Sequence, residues 1–172
     1  MVTVLFINDG YIYEHFPLPQ RIDSRAMHAL IMLEQSTSIQ DLLGTSLYEY
    51  LTDAVESESL AQGSEENLFK QVQYILCLYS VRSAYNFLRS NAMYNKSEET
   101  NANQYTLDAL TDSIDSKIEY FKKRIIEFIK ADADLKATAE EGTNDIFSEE
   151  DVYNGSVFYP ANPFDKDSED CE

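Results

Sequence analysis

Apolar residues recur at helical spacing through the middle of this chain and lose that spacing toward both ends. From residue 24, Met27, Leu30, Ile31 and Leu33 mark one face of a helix. Ser36-Thr37-Ser38 interrupts it, and Ile39, Leu42 and Leu43 resume it. Asp23 stands where an N-cap belongs and Gly44 where a helix stops. The segment therefore reads as one helix of roughly twenty residues or as two abutting ones, with Ser38-Ile39-Gln40-Asp41 capping a restart. Thr45 then caps a short helix carrying Leu47, Tyr48, Leu51 and Val55. A stop and a start side by side at Gly44-Thr45 predict a tight helix–helix corner.

Residues 56–64 read as a loop, and Ser64 as the cap of a third helix with Glu65 and Glu66 in its first turn. Leu68, Val72, Ile75, Leu76, Tyr79, Val81 and Ala84 populate more than one face of it, the pattern of a helix central to a bundle. It is expected to run to about Ser90 and to be followed by a polar loop through Gln104. In the fourth helix, Leu107, Leu110, Ile114, Ile118, Phe121, Ile125 and Phe128 alternate spacings of three and four. Asp108, Asp112, Asp115, Lys117, Lys122, Lys123 and Glu127 occupy the opposite face. At ~1.5 Å per residue, positions 107–131 span roughly 37 Å. The stripe reads as a bundle member, with an inter-subunit coiled coil as the alternative.

The ends differ. A short β-like run, Met1–Ile7, gives way to a turn at Gly10, then to Tyr11-Ile12-Tyr13 and to Pro17 and Pro19. Two prolines two residues apart preclude a helix there, so residues 1–22 are expected to form an extended N-terminal arm. The helical pattern breaks down after Leu135, and residues 136–172 read as an extended C-terminal arm, acidic and carrying aromatic residues. The expected fold is all-α: a small bundle of about four helices over residues 23–135, between two extended arms. No internal repeat is visible.

Charge sharpens this picture. The chain has 172 residues with 13 basic and 31 acidic side chains, a formal charge of −18. Phosphate neutralisation needs lysine and arginine in excess, so the balance argues against a surface for duplex DNA or membrane. The acid is concentrated at the two ends: residues 1–60 carry 2 basic and 9 acidic side chains, residues 61–130 carry 9 of each, and residues 131–172 carry 2 and 13. A solubilising tail does not need the Phe147, Val152, Tyr153, Val157, Phe158, Tyr159, Pro160 and Phe164 found in the last stretch. An arm that orders against a partner does, and Tyr153, Val157, Phe158, Tyr159, Pro160 and Phe164 are the candidate docking residues.

Candidate chemistry is sparse. Five glycines form neither a G-x-G-x-x-G nor a G-x-x-x-x-G-K pattern, and His15 and His28 belong to no H-E-x-x-H. Cys77, among Tyr74, Ile75, Leu76 and Leu78, reads as a small buried hydrophobe, and Cys171 as a free thiol. Two such cysteines fit a reducing, intracellular site of synthesis. The apolar run at residues 1–7 lacks a basic flank and is too short for a signal peptide, and no stretch approaches the ~20 residues of a membrane span. Asp165-Lys166-Asp167-Ser168-Glu169-Asp170 begins like a calcium loop but lacks its glycine and its closing glutamate. We expect no catalytic residue, no metal site and no cofactor, and a protein that is not an enzyme.

One stretch is motif-like. After Leu5-Phe6-Ile7-Asn8-Asp9-Gly10-Tyr11 and the Pro17–Ile22 arm, the pattern I-x-x-x-L-G-T-x-L-Y-x-x-L is carried by Ile39, Leu43, Gly44, Thr45, Leu47, Tyr48 and Leu51. It resembles the head–tail connector (ring or adaptor) proteins of tailed bacteriophages, those of crAss-like phages in particular. The order of elements matches over most of the chain, while the motif itself covers only Ile39–Leu51. Asn91–Gln104 departs from the family in having no glycine where a K-x-x-x-G turn is expected.

The resemblance implies a structural role for the motif, with Gly44 and Thr45 making the corner and Leu43, Leu47 and Leu51 filling the core beside it. It also implies a virion protein of the head–tail junction, made in the bacterial host cytoplasm. There it would form a homo-oligomeric ring of about twelve copies beneath the portal. Its partners would be itself, the portal protein and adjacent connector or tail proteins. Genomic DNA would pass through the channel without specific binding, and no membrane is involved. The rival reading is an acidic DNA mimic that inhibits a host DNA-binding protein, although the acid gathers at the chain ends and not in regular rows along a rod.

Overall fold

A computed structural model of the chain describes residues 4–16, 18, 22–94 and 100–140. Regular structure among them is entirely helical, so the expected all-α class holds. The elements are α1 (Asp9–His15), α2 (Ser24–Glu34), a π turn (Gln35–Ile39), α3 (Gln40–Leu43), α4 (Thr45–Glu56), α5 (Ser64–Tyr94), α6 (Thr100–Ala131) and α7 (Ala133–Glu140).

The N-terminal 1–22 segment is not extended throughout, which corrects the expectation for it. The Asn8 side chain accepts from Tyr11 N at 2.8 Å and starts α1, and Asp9 sits favourably in its first turn. The helix ends by Phe16, directly before Pro17. Proline disfavours helix for the residue before it and stops a helix from running on through it, but it leaves seven residues upstream free to coil.

The two readings of residues 24–43 resolve into one continuous rod. Asp23 caps it by accepting from Arg25 N at 2.9 Å. At the serine–threonine interruption the hydroxyls of Ser36 and Thr37 donate to the Leu33 carbonyl at 3.2 and 2.7 Å, and Ser38 donates to Glu34 Oε2 at 2.6 Å. Such back-bonding competes with the main-chain ladder, and the rod widens into the π turn without breaking. At Gly44 the backbone adopts φ 76°, ψ 160°, a conformation open almost only to glycine. The cap of α4 is Gly44 itself and not Thr45, which is the first helical residue.

The central position expected for α5 is borne out. From Ile75 to Val81 every residue is at most 4% exposed, and the helix packs against α1, α2, the π turn and α6. It runs to Tyr94, and α6 already begins at Thr100, so the polar loop expected through Gln104 is shorter than the sequence pattern implied. Ile114, Ile118 and Ile125 of α6 are buried as the stripe predicted, whereas Leu110 is 41% exposed, Phe121 and Phe128 are half-buried, and Ile129, outside the expected stripe, is buried instead. Among the described residues the last buried positions toward this end are Tyr85 and Ile114, beside an Arg82–Asp115 ion pair at 3.3 Å, and Leu110 lies past them.

The expected break after Leu135 comes earlier, at Asp132. Its carboxylate accepts from Asp134 N and Leu135 N, each at 3.1 Å, and starts α7. Helix α7 packs against α4 and α6 and buries Leu135 and Ala139. Residues 136–140 therefore belong to the helical body and not to an extended arm, because one further apolar face remains for the bundle to cover.

Candidate functional site

The family-like positions converge on one corner. Ile39, Leu43, Leu47 and Leu51 are at most 1% exposed, Tyr48 is half-buried beside them, Gly44 makes the turn, and Thr45 faces outward. What this corner holds is the N-terminal segment. Phe6 and Ile7 are 3% and 4% exposed, with the Phe6 ring 5.7 Å from Tyr48 and 5.3 Å from Phe69.

A segment outside any helix or sheet that is buried at Phe6 and Ile7 needs partners for its amides. Gln35, 1% exposed at the head of the π turn, supplies them. Its Oε1 accepts from Phe6 N at 2.8 Å; its Nε2 donates to Val4 O at 2.8 Å and to Tyr48 Oη at 3.3 Å. Gln73 of α5 donates to Phe6 O at 2.8 Å. The two side-chain amides thus act as the missing neighbouring strand. Tyr13 treats the end of this region in the same way, its hydroxyl donating to Ile22 O at 3.2 Å and accepting from Ile22 N at 3.1 Å. Ser24 Oγ donates to Asp9 at 2.7 Å, and that bond holds the Asp9 carboxyl below its usual range.

Beside the corner lies a buried carboxylate. Glu34, 7% exposed, accepts from Ser38 within its own rod and from Ser83 of α5. The two hydroxyls replace the water such a group would otherwise hold, and they tie the π turn to the central helix. Over the clamped segment opens a shallow groove of about 580 Å³, lined in part by Leu5, Asn8, Tyr11, Glu14 and Gln73. Burial raises the Tyr11 hydroxyl above its ordinary value, and it pushes the Cys77 thiol up to about 12. Cys77, fully buried, is the small hydrophobe expected of it.

His15 and His28 are both exposed, His15 stacked on Tyr11 with ring centroids 4.1 Å apart. Among the described residues no group of three or more His, Cys, Asp or Glu side chains gathers to hold a metal ion, and no helix is long and apolar enough to cross a membrane. The docking residues expected at Tyr153, Val157, Phe158, Tyr159, Pro160 and Phe164 lie outside the described residues, as does Cys171.

The roles of Gln35, Gln73 and Glu34 were not anticipated from the sequence. Gln35 left a signal: it stands four residues after Ile31 and four before Ile39, a polar side chain at a core position of an apolar face. Glu34 left a similar one, seven residues after Met27 and three after Ile31, while Gln73 left none. No family model matches the chain, and no curated protein or solved structure shows significant similarity to it.

Proposed function

We propose that this chain is a structural subunit of a tailed-phage virion, forming a ring of the head–tail connector below the portal. In this reading it extends the DNA channel and joins capsid to tail, and it works by assembly and not by catalysis. The observation that carries it is the convergence of the family-like positions on a single corner that locks the N-terminal segment. Ile39, Leu43, Leu47 and Leu51 pack there, and Gln35 and Tyr48 hold Val4 and Phe6. A rigid helical body with its terminus pinned suits a ring subunit, because neighbours in a closed ring meet fixed surfaces. The formal charge of −18 supports the same reading, since an acidic channel wall repels passing DNA and keeps it from adhering.

Native mass spectrometry of the purified protein, alone and mixed with a candidate portal, tests this. The expected result is a closed ring that binds the portal and whose mass gives the copy number. A monomer or dimer that ignores the portal and instead captures a basic DNA-binding protein in competition with DNA would overturn it in favour of the mimic.

A further inference from the structure

A second groove has a composition unlike the rest of this acidic chain. Helices α5 and α6 run antiparallel, joined by Arg82–Asp115 at one level and by a hydrogen bond from Ser64 to Asp132 at the other. Between them lies a trough of about 590 Å³ lined by Asn67, Lys70, Gln71, Arg124, Glu127 and Phe128. Lys70 is held by Glu66 at 2.6 Å, while Arg124 makes no ion pair among the described residues. The Oε1 atom of Gln71 is buried and accepts no hydrogen bond there. A buried carbonyl without a donor is costly, and rotation of the Gln71 amide into the trough would let it accept from an incoming N–H group.

The strip continues along α6. Tyr120, one turn before Arg124 on the same flank, is 61% exposed, and its ring meets Phe121 edge-on at 5.3 Å. Phe121 in turn lies 4.8 Å from Tyr74, and Lys117 sits 5.7 Å over the Phe16 ring. On this flank Lys70, Lys117 and Arg124 stand against Glu66 and Glu127, a small positive excess in a chain of −18, whereas Lys122 turns to Glu119 and Tyr79.

We propose that this groove receives residues 141–172 of a second copy of the chain. That stretch carries ten carboxylates, one lysine and five aromatic rings, Phe147, Tyr153, Phe158, Tyr159 and Phe164. Its charge complements the Arg124 strip, and its rings match the exposed ring of Tyr120 and the half-buried one of Phe128. Once turned into the groove, the Gln71 carbonyl takes a backbone N–H, as Gln35 takes that of Phe6. Helix α7, packed against α4 and α6, ends at Glu140, and the groove is walled by α5 and α6. Thirty-two residues follow Glu140, a reach of up to roughly 105 Å when extended, ample for a neighbour. This deepens the ring reading by naming where each subunit's arm is received, and it rests on that reading only for the presence of several copies.

The test uses the full chain with Tyr120→p-benzoylphenylalanine, made in ordinary and in ¹⁵N-labelled form, mixed under assembling conditions and irradiated. The expected product is a crosslinked peptide joining α6 of one isotopic population to residues 141–172 of the other. Its yield should fall about tenfold in Arg124→Glu and on raising the salt, with the helical circular dichroism of the variant unchanged. Crosslinks confined to single copies, or none to residues 141–172, would overturn the proposal. If rings still form by native mass spectrometry, the connector reading survives that failure; if no assembly forms at all, the connector reading fails as well.

Discussion

Gln35→Leu isolates the clamp on the N-terminal segment, since leucine keeps the size of the side chain and removes both halves of the amide. The Phe6 N–H and the Val4 carbonyl then lose their 2.8 Å partners inside the fold. Each buried, unsatisfied group costs about 1–3 kcal/mol, and the better apolar burial of leucine offsets part of that sum. The segment has an escape: it can peel away and let water satisfy its amides. Peeling exposes Phe6 and Ile7, each worth about 1.5–3 kcal/mol when buried, so it saves little. Both routes lead to a loss of about 3 kcal/mol. With a urea slope of about 1–3 kcal/mol per molar, the midpoint followed by far-ultraviolet circular dichroism should fall by about 1–3 M. Amide exchange at Phe6 separates the routes, being fast only if the segment leaves. A midpoint within about 0.3 M of the parent, with an unchanged slope, would refute the idea that the two amides stand in for a strand.

Gly44→Ala should cost about 1–3 kcal/mol, because φ 76° with ψ 160° strains any residue with a Cβ; a loss under about 0.5 kcal/mol in the same urea assay would show that the corner relaxes. Leu47→Ala should cost about 2–5 kcal/mol, whereas Leu33→Ala, at a side chain 54% exposed, should stay within about 0.5 kcal/mol. In a Cys171→Ser background, Cys77 should resist Ellman's reagent until the protein unfolds, since burial pushes its thiol to about 12; prompt labelling of the native protein would contradict the core placement. The Asp132 carboxyl lies below its usual range, held by the Ser64 hydroxyl and then by the Leu135 N–H. Its contribution is therefore present above the ordinary carboxylate value and lost as the pH falls through the lowered one. Asp132→Ala should accordingly destabilise at neutral pH and make little difference in strong acid, which parallel urea titrations will show.

Elements whose signal is local are legible in the amino-acid order alone. Asp23, the stripe through Ile114, Ile118 and Ile125, the all-round apolar run of α5 and the corner at Gly44 can each be read from neighbouring residues, because capping, periodicity and glycine's backbone freedom act within a few positions. Two local rules reach less far than the pattern suggests. Pro17 and Pro19 constrain their own positions and the residue before each, so they do not exclude α1. The fall in apolar periodicity after Leu135 does not end the helical body, since Leu135 and Ala139 suffice to seat α7 on α4 and α6. Where the N-terminal segment goes is a matter of packing. Phe6 is clamped by a residue 29 positions away and by another 67 positions away, and a hydrogen bond between a side-chain amide and a distant backbone leaves no periodic trace. The same holds for the pairing of Glu34 with Ser83, and for the cation-and-aromatic groove, whose walls stand more than fifty positions apart along the chain. Local patterns specify which face of each helix is apolar; which faces meet, and which polar groups they trap, is settled when the helices pack.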